Sequence, residues 1–171
     1  MKFEIRQEKE QDYEEIYNLV KIAFQTSEDA DGDEHDYVNN LRFSPNYIPE
    51  LAFIIKDDET IIGHIMLTKT YISRGHEKQV ALLLSPVCVQ LEYRNMGVGS
   101  QLISYSLDAA KSNGYKTVFL VGQPEYYHRF GFQSIADFGI IDTGDIPVQY
   151  TMVVELEEGF LAGQGGVVTI Y

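Results

Sequence analysis

One cysteine, Cys88, is the whole thiol content of this 171-residue chain. An intramolecular disulfide is therefore excluded, and the composition suits a reducing cytoplasm. Positive charge is scarce too: 13 lysines and arginines stand against 26 aspartates and glutamates, for a formal charge of −13. General nucleic-acid binding needs a basic surface to displace counterions, so that function class falls away. An anionic ligand has to be gripped locally against a repulsive field, whereas a cationic acceptor such as an amine is drawn in. No run approaches the ~18 apolar residues that cross a membrane. Residues 1–6 alternate apolar and charged side chains and lack a signal-peptide core. Repeats, low-complexity tracts and Pro- or Ser-rich linkers are also missing, so one domain over residues 1–171 with a sizeable core is expected.

What is present reads as an alternation of strands and helices. Residues 2–6 suit a short strand. Tyr13, Ile16, Tyr17, Val20 and Phe24 fall at helical spacing with acids in the first turn, which predicts a helix over 12–24. A weaker helix is expected over 34–42, before Ser44-Pro45. The stretches 51–56 and 61–72 flank an acidic turn and predict an antiparallel hairpin, followed by a strand over 79–89. Val98, Leu102, Ile103, Leu107 and Ala110 give one face of a helix over 98–112, stopped by Asn113-Gly114. A buried strand follows at 116–122, a short helix at 124–130 opened by Pro124, and strands at 150–156 and 166–171. A helix joins strands 79–89 and 116–122, so they should be parallel. The fold class is α/β, a mixed sheet with helices on its faces.

The segment 28–36, EDADGDEHD, carries six carboxylates. Counted from Asp29 as a calcium loop, it places Glu34 where glycine is needed and Asn40 where a bidentate acid is needed. No metal is expected.

Residues 94–100, RNMGVGS, sit where a strand hands over to a helix. Backbone N–H groups there lack acceptors and face the positive end of the helix dipole. Glycines remove the Cβ atoms that hold a phosphate off the backbone, and Arg94 adds a forked donor at the rim. A dinucleotide fingerprint would need a third glycine at Leu102. A nucleotide P-loop would need a lysine after Gly99, where Ser100 stands. On spacing alone, R-x-x-G-x-G fits an anion nest or a plain turn into a helix.

With its surroundings, the stretch 87–135, VCVQLEYRNMGVGSQLISYSLDAAKSNGYKTVFLVGQPEYYHRFGFQSI, resembles the core of the GNAT N-acetyltransferase superfamily. That family carries R/Q-x-x-G-x-G/A between its fourth strand and third helix, and a tyrosine shortly before a Gly-Phe pair, matched here by Tyr127 and Gly131-Phe132. The tail LAGQGGVVTIY is similar to the end of a bacterial branch of predicted acetyltransferases. The resemblance implies acetyl-CoA as co-substrate, with its pyrophosphate on Arg94 and the amides of Asn95, Met96, Gly97, Val98, Gly99 and Ser100. It implies a pantetheine arm paired like a strand with the backbone around Val87, Cys88 and Val89. Pro86, which cannot donate to a ladder, fits a strand edge opening there.

Amide formation from a thioester needs a neutral amine, a stabilised oxyanion and a proton for the departing thiolate. Direct attack in a ternary complex is the family's usual route, and the resemblance makes Tyr127 the proton donor, a phenol with a reference pKa near 10. Tyr126 is read as packing. Many relatives carry a carboxylate base early in the fourth strand, where this chain has Leu82-Leu83-Leu84. His64, Glu34, His35 or a water chain are the remaining bases, and a Cys88 nucleophile is disfavoured between two valines. The acceptor is expected against the acidic, tyrosine-rich segment 28–48 and the loops near 140–150 (Tyr37, Tyr47, Tyr150), which suits a cationic or aromatic amine. A homodimer through the C-terminal strands is compatible with these features. The alternatives are a CoA-binding regulatory module without turnover, or an O-acyl or other acyl-CoA transferase on the same fold.

Overall fold

The computed structural model describes residues 3–25 and 31–170. The chain contains two compact units: Met1–Leu67 with Ser85–Ser106, and Thr68–Leu84 with Leu107–Tyr171. Three elements contribute residues to both units: β3 (Thr60–Arg74), β4 (Glu77–Val89) and α3 (Val98–Ser112).

In the first unit, β1 (Phe3–Gln7) lies antiparallel to β2 (Tyr47–Asp57), with Ile5 opposite Ile55 and Gln7 opposite Phe53. The strands run β1-β2-β3-β4. β2 starts four residues before the expected Leu51 and contains Pro49. The β1 register covers only Phe53 to Asp57, so Pro49 lies where no β1 ladder needs its missing N–H. Helix α1 (Tyr13–Gln25) buries Ile16, Leu19, Val20 and Ala23. That i, i+3, i+4, i+7 stripe is displaced from the expected one, leaving Tyr13, Tyr17 and Phe24 half-buried at its borders. The stripe packs with Val38 of α2 (Glu34–Leu41) on Ala52, Ile54, Ile61, Met66 and Cys88. Burial of each large aliphatic there contributes about 1.5–3 kcal/mol. Strand alternation turns Phe53 to the opposite face, where its ring meets Tyr105 of α3 edge-on at 5.1 Å.

In the second unit, β5 (Thr117–Val121) is parallel to β4 through Leu82↔Val118 and Leu83↔Phe119, as the connecting helix requires. Between β5 and the last strands come α4 (Pro124–Tyr127), β6 (Gln133–Ser134) and β7 (Ile140–Asp142). β8 (Thr151–Glu155) pairs antiparallel with β5 and β6, and β9 (Gly166–Val168) pairs with β3 and β7. Ile72, Leu83, Phe119, Ile140, Val153 and Val168 form its core. The sheet is mixed and carries helices, as expected. β5 and β8 are each one residue shorter at both ends than expected. The larger differences are that the 124–130 helix is α4 followed by a 3₁₀ turn, His128–Phe130, ended by Gly131 at φ 91°, and that the last strand stops at Val168. Among the described residues no helix is long and apolar enough to cross a membrane.

Candidate functional site

The R-x-x-G-x-G loop lies in the first unit. After a 3₁₀ turn at Leu91–Tyr93, residues 94–97 form a turn and α3 begins at Val98. Asn95 and Gly97 have left-handed φ values of 63° and 79°, which asparagine tolerates and glycine adopts without Cβ strain. A Cβ on Gly97 would meet nothing within 4 Å, so the approach to the backbone is open. Gln101 N–H donates to Gly97 O at 3.0 Å, the first turn of the α3 ladder. The N–H groups of Val98 and Gly99 therefore precede any intrahelical acceptor and stand at the positive end of a 15-residue helix. Val98 is 1% exposed and anchors this start in the core, whereas Arg94, Asn95, Met96 and Gly97 are exposed. One N–H of Arg94 donates to Ala23 O in the last turn of α1 at 2.9 Å, which fixes the guanidinium beside the loop. Open access, left-handed turns and oriented amides fit a pyrophosphate.

Upstream, Gln90 N–H donates to Ile62 O on β3 at 2.8 Å. Backbone groups alternate sides along a strand, so those of Val87 and Val89 face away from β3, as pairing with an extended ligand requires. Cys88 is 6% exposed in the α1 core, and burial pushes its thiol up to about 12. It is protonated at neutral pH, which disfavours a nucleophilic role.

Tyr127 lies in the second unit at the end of α4, whose Pro124 occupies the first turn. A Cβ on Gly122 would fall 2.3 Å from Tyr127 Cε2, so glycine after β5 lets the ring lie against the backbone. Phe132, fully buried, meets the ring edge-on at 5.9 Å, and Tyr126 does so at 4.9 Å. Tyr126 packs, as expected, against Phe130 and under the Arg129 guanidinium. His128 Nδ1 bonds the Phe132 carbonyl at 2.8 Å.

The candidate bases have separate fates. Leu82, Leu83 and Leu84 are buried and apolar. Glu34 accepts the N–H groups of Asp31 and Gly32 at 2.8 and 3.1 Å, tying its carboxylate to the loop before α2. His35 packs edge-on against Tyr17 at 4.8 Å. His64 is completely buried, and its Nε2 lies 2.8 Å from Glu8 Oε1. Glu8 is fully buried too and receives Arg42 through Nε at 2.7 Å and Nη2 at 2.9 Å, with the Tyr47 hydroxyl at 2.7 Å. Burial alone would raise the Glu8 pKa, but hydrogen bonds from Arg42 and His64 overcome it and hold the group at about 2. Burial and the Glu8 carboxylate push the Tyr47 phenol upward, so it remains a donor. Arg42 also donates to Asn39 Oδ1 at 2.8 Å and lies 3.9 Å from the Tyr13 ring centroid. Sequence reasoning found His64, lone among the apolar residues of IIGHIML, and missed Glu8 and Arg42. It placed Tyr47 only in a segment facing the acceptor.

Residues 4–135 match the family described as Acetyltransferase (GNAT) domain. The uncharacterized N-acetyltransferase YjhQ of Escherichia coli (strain K12) is 30% identical over 125 residues, covering 73% of this chain and 66% of YjhQ. YhbS of the same strain, also an uncharacterized N-acetyltransferase, is 31% identical over 87 residues, 50% of this chain and 51% of YhbS. The chain thus spans less than two thirds of these curated relatives. Among solved structures, Escherichia coli YhbS in complex with CoA superposes with a TM-score of 0.89 at 26% identity, covering 100% of this chain and 91% of that one. A GNAT family acetyltransferase from Brucella melitensis in complex with acetyl-CoA gives 0.81 at 24% identity, covering 99% and 96%, a likeness of fold.

Proposed function

Because the chain belongs to the GNAT acetyltransferase family, we propose that it transfers the acetyl group of acetyl-CoA to an amine by direct attack in a ternary complex. The start of α3 carries this reading, with left-handed Asn95 and Gly97 leading into oriented amides. Arg94 and the amides of residues 95–100 hold the pyrophosphate, and the outward backbone of Val87 and Val89 pairs with the pantetheine arm. Acetyl-CoA supplies the activated acetyl thioester. Tyr127 donates the proton to the departing thiolate, its ring held by Gly122 and Phe132. The formal charge of −13 favours a cationic amine.

Thiol release from acetyl-CoA on addition of an amine tests the reaction. Tyr127→Phe should lower kcat about 100-fold and leave the KM for acetyl-CoA unchanged. Equal turnover in the two proteins removes the acid role. A second reading, a CoA-binding module without turnover, is favoured by the buried apolar Leu82–Leu84 stretch where relatives place a base. CoA binding without amine-dependent thiol release would decide for it.

A further inference from the structure

His64 makes unusual use of its two nitrogens. A buried histidine ordinarily satisfies both, yet Nδ1 has no hydrogen-bond partner among the described residues. Its ring is 0% exposed. Glu8 is held ionised by two N–H groups of Arg42, so it can only accept from the histidine, and Nε2 must carry the hydrogen. No acceptor among the described residues meets a second N–H at Nδ1, so that nitrogen presents a lone pair, and the Glu8 charge behind the ring stabilises the imidazolium formed when the lone pair takes a proton.

The location gives this base a use. His64 is on β3, next to Gly63, where an added Cβ would lie 3.1 Å from Cys88 O on β4. Val87 and Val89, proposed above to pair with the donor arm, flank Cys88. The segment expected to face the acceptor supplies Arg42 and Tyr47 to the same cluster. Among the described residues, Glu8 from the turn after β1 meets the ring, Arg42 after α2 and Tyr47 of β2 bond to Glu8, Tyr13 of α1 lies behind Arg42, and Cys88 is on the adjoining strand β4.

We infer that His64 Nδ1 is the general base of this site, removing the proton of the attacking amine directly or through one water, with Glu8 as its orienting partner. The inference rests on the N-acetyltransferase reading. As the amine nitrogen bonds to the acetyl carbonyl carbon, its proton passes to Nδ1. The C–S bond then breaks, the thiolate receives its proton from Tyr127, and the imidazolium returns its proton to water. This arrangement replaces the carboxylate that Leu82–Leu84 cannot provide.

His64→Gln tests the role, because the glutamine amide can still donate to Glu8 while lacking a basic nitrogen. Thiol release is followed with tyramine and 1,4-diaminobutane at saturating acetyl-CoA. Expected are a kcat about 100-fold below the parent, an unchanged KM for acetyl-CoA, and loss of the acid limb in the pH profile of kcat/KM for the amine. A variant that keeps the parent's kcat and acid limb overturns the base role and leaves the N-acetyltransferase reading standing. A parent inactive with both amines takes the reading and the base down together. Nitrogen-15 NMR of the parent applies even where the variant does not fold. It should find the His64 hydrogen on Nε2, and a hydrogen on Nδ1 in the resting protein overturns the inference.

Discussion

The glycine loop and the Glu8 cluster lie in the same unit and are built on opposite rules. In the loop, residues 94–97 turn their side chains outward while Val98 anchors the helix start, and the backbone carries the chemistry. In the cluster the side chains carry it, and the partners of Glu8 lie 34, 39 and 56 positions away in sequence. Solvent covers most of the loop and neutralises unmet polarity. The side chains of Glu8 and His64 are fully buried, so the charge there depends on its hydrogen-bonded partners. A loop of exposed amides tolerates side-chain change that leaves the N–H groups accessible. A sealed network of charges tolerates almost none.

The most severe test of that contrast is Arg42→Ala. It removes the bidentate partner of a fully buried carboxylate and strips the guanidinium from the Tyr13 ring. Breaking one member of a buried pair costs about 3–5 kcal/mol, read as a lower urea midpoint at unchanged slope. Arg42→Lys should recover only part of this, since an ammonium lacks the planar fork. A loss below about 1 kcal/mol would place the pair among weak surface bridges and erase the distinction.

The same cluster sets an acid dependence of the next size. Glu8 titrates at about 2, below its ordinary value of 4.5, so the folded state holds the charged form more tightly than the unfolded chain does. The contribution, about 3 kcal/mol, is complete above the unfolded value and is lost as pH falls through the folded one. Unfolding free energy measured between neutrality and pH ~2 should fall accordingly, and Glu8→Gln should flatten that part of the slope. An identical slope in parent and variant would show the carboxylate to be no better held than a surface acid. The two effects share one ion pair, so they will not add.

These two regions also show what a sequence carries on its face. The strand-to-helix handover at residues 94–98 is local: a glycine at φ 79°, a buried valine and a helix whose apolar face repeats over 15 residues. Helices α1 and α3 were legible for the same reason, and so was the parallel β4–β5 pair, because a helical crossover leaves no other geometry. β6 and β7, two and three residues long, are shorter than one readable alternation. The Glu8 cluster left a single local trace, a histidine inside an apolar strand. Its partners come from the turn after β1, the end of α2 and the start of β2, and only the folded chain brings them together. Leu82–Leu84 spelled out an absence in the sequence, and the residue inferred to make up for it stood on the neighbouring strand.

Gly99→Glu gives the smallest effect on stability and the sharpest on the loop. A carboxylate in the first turn of α3 faces the positive end of the helix dipole, which favours folding by about 0.3–1 kcal/mol. The same carboxylate sits where the proposed pyrophosphate would meet the amides and repels it. The unliganded variant should therefore unfold within about 1 kcal/mol of the parent. CoA at 100 times the parent's Kd stabilises a binding-competent protein by about 2.7 kcal/mol, and the variant should lose that gain. Thermal unfolding with and without CoA separates the quantities in one experiment. Retained protection would place the pyrophosphate elsewhere, whereas lost protection with intact folding would show that the loop's backbone serves the ligand and the fold can spare it. An Arg42 variant should behave in the reverse manner, losing stability with or without CoA by the same amount, because its defect is in the folded chain and not in the grip on an anion.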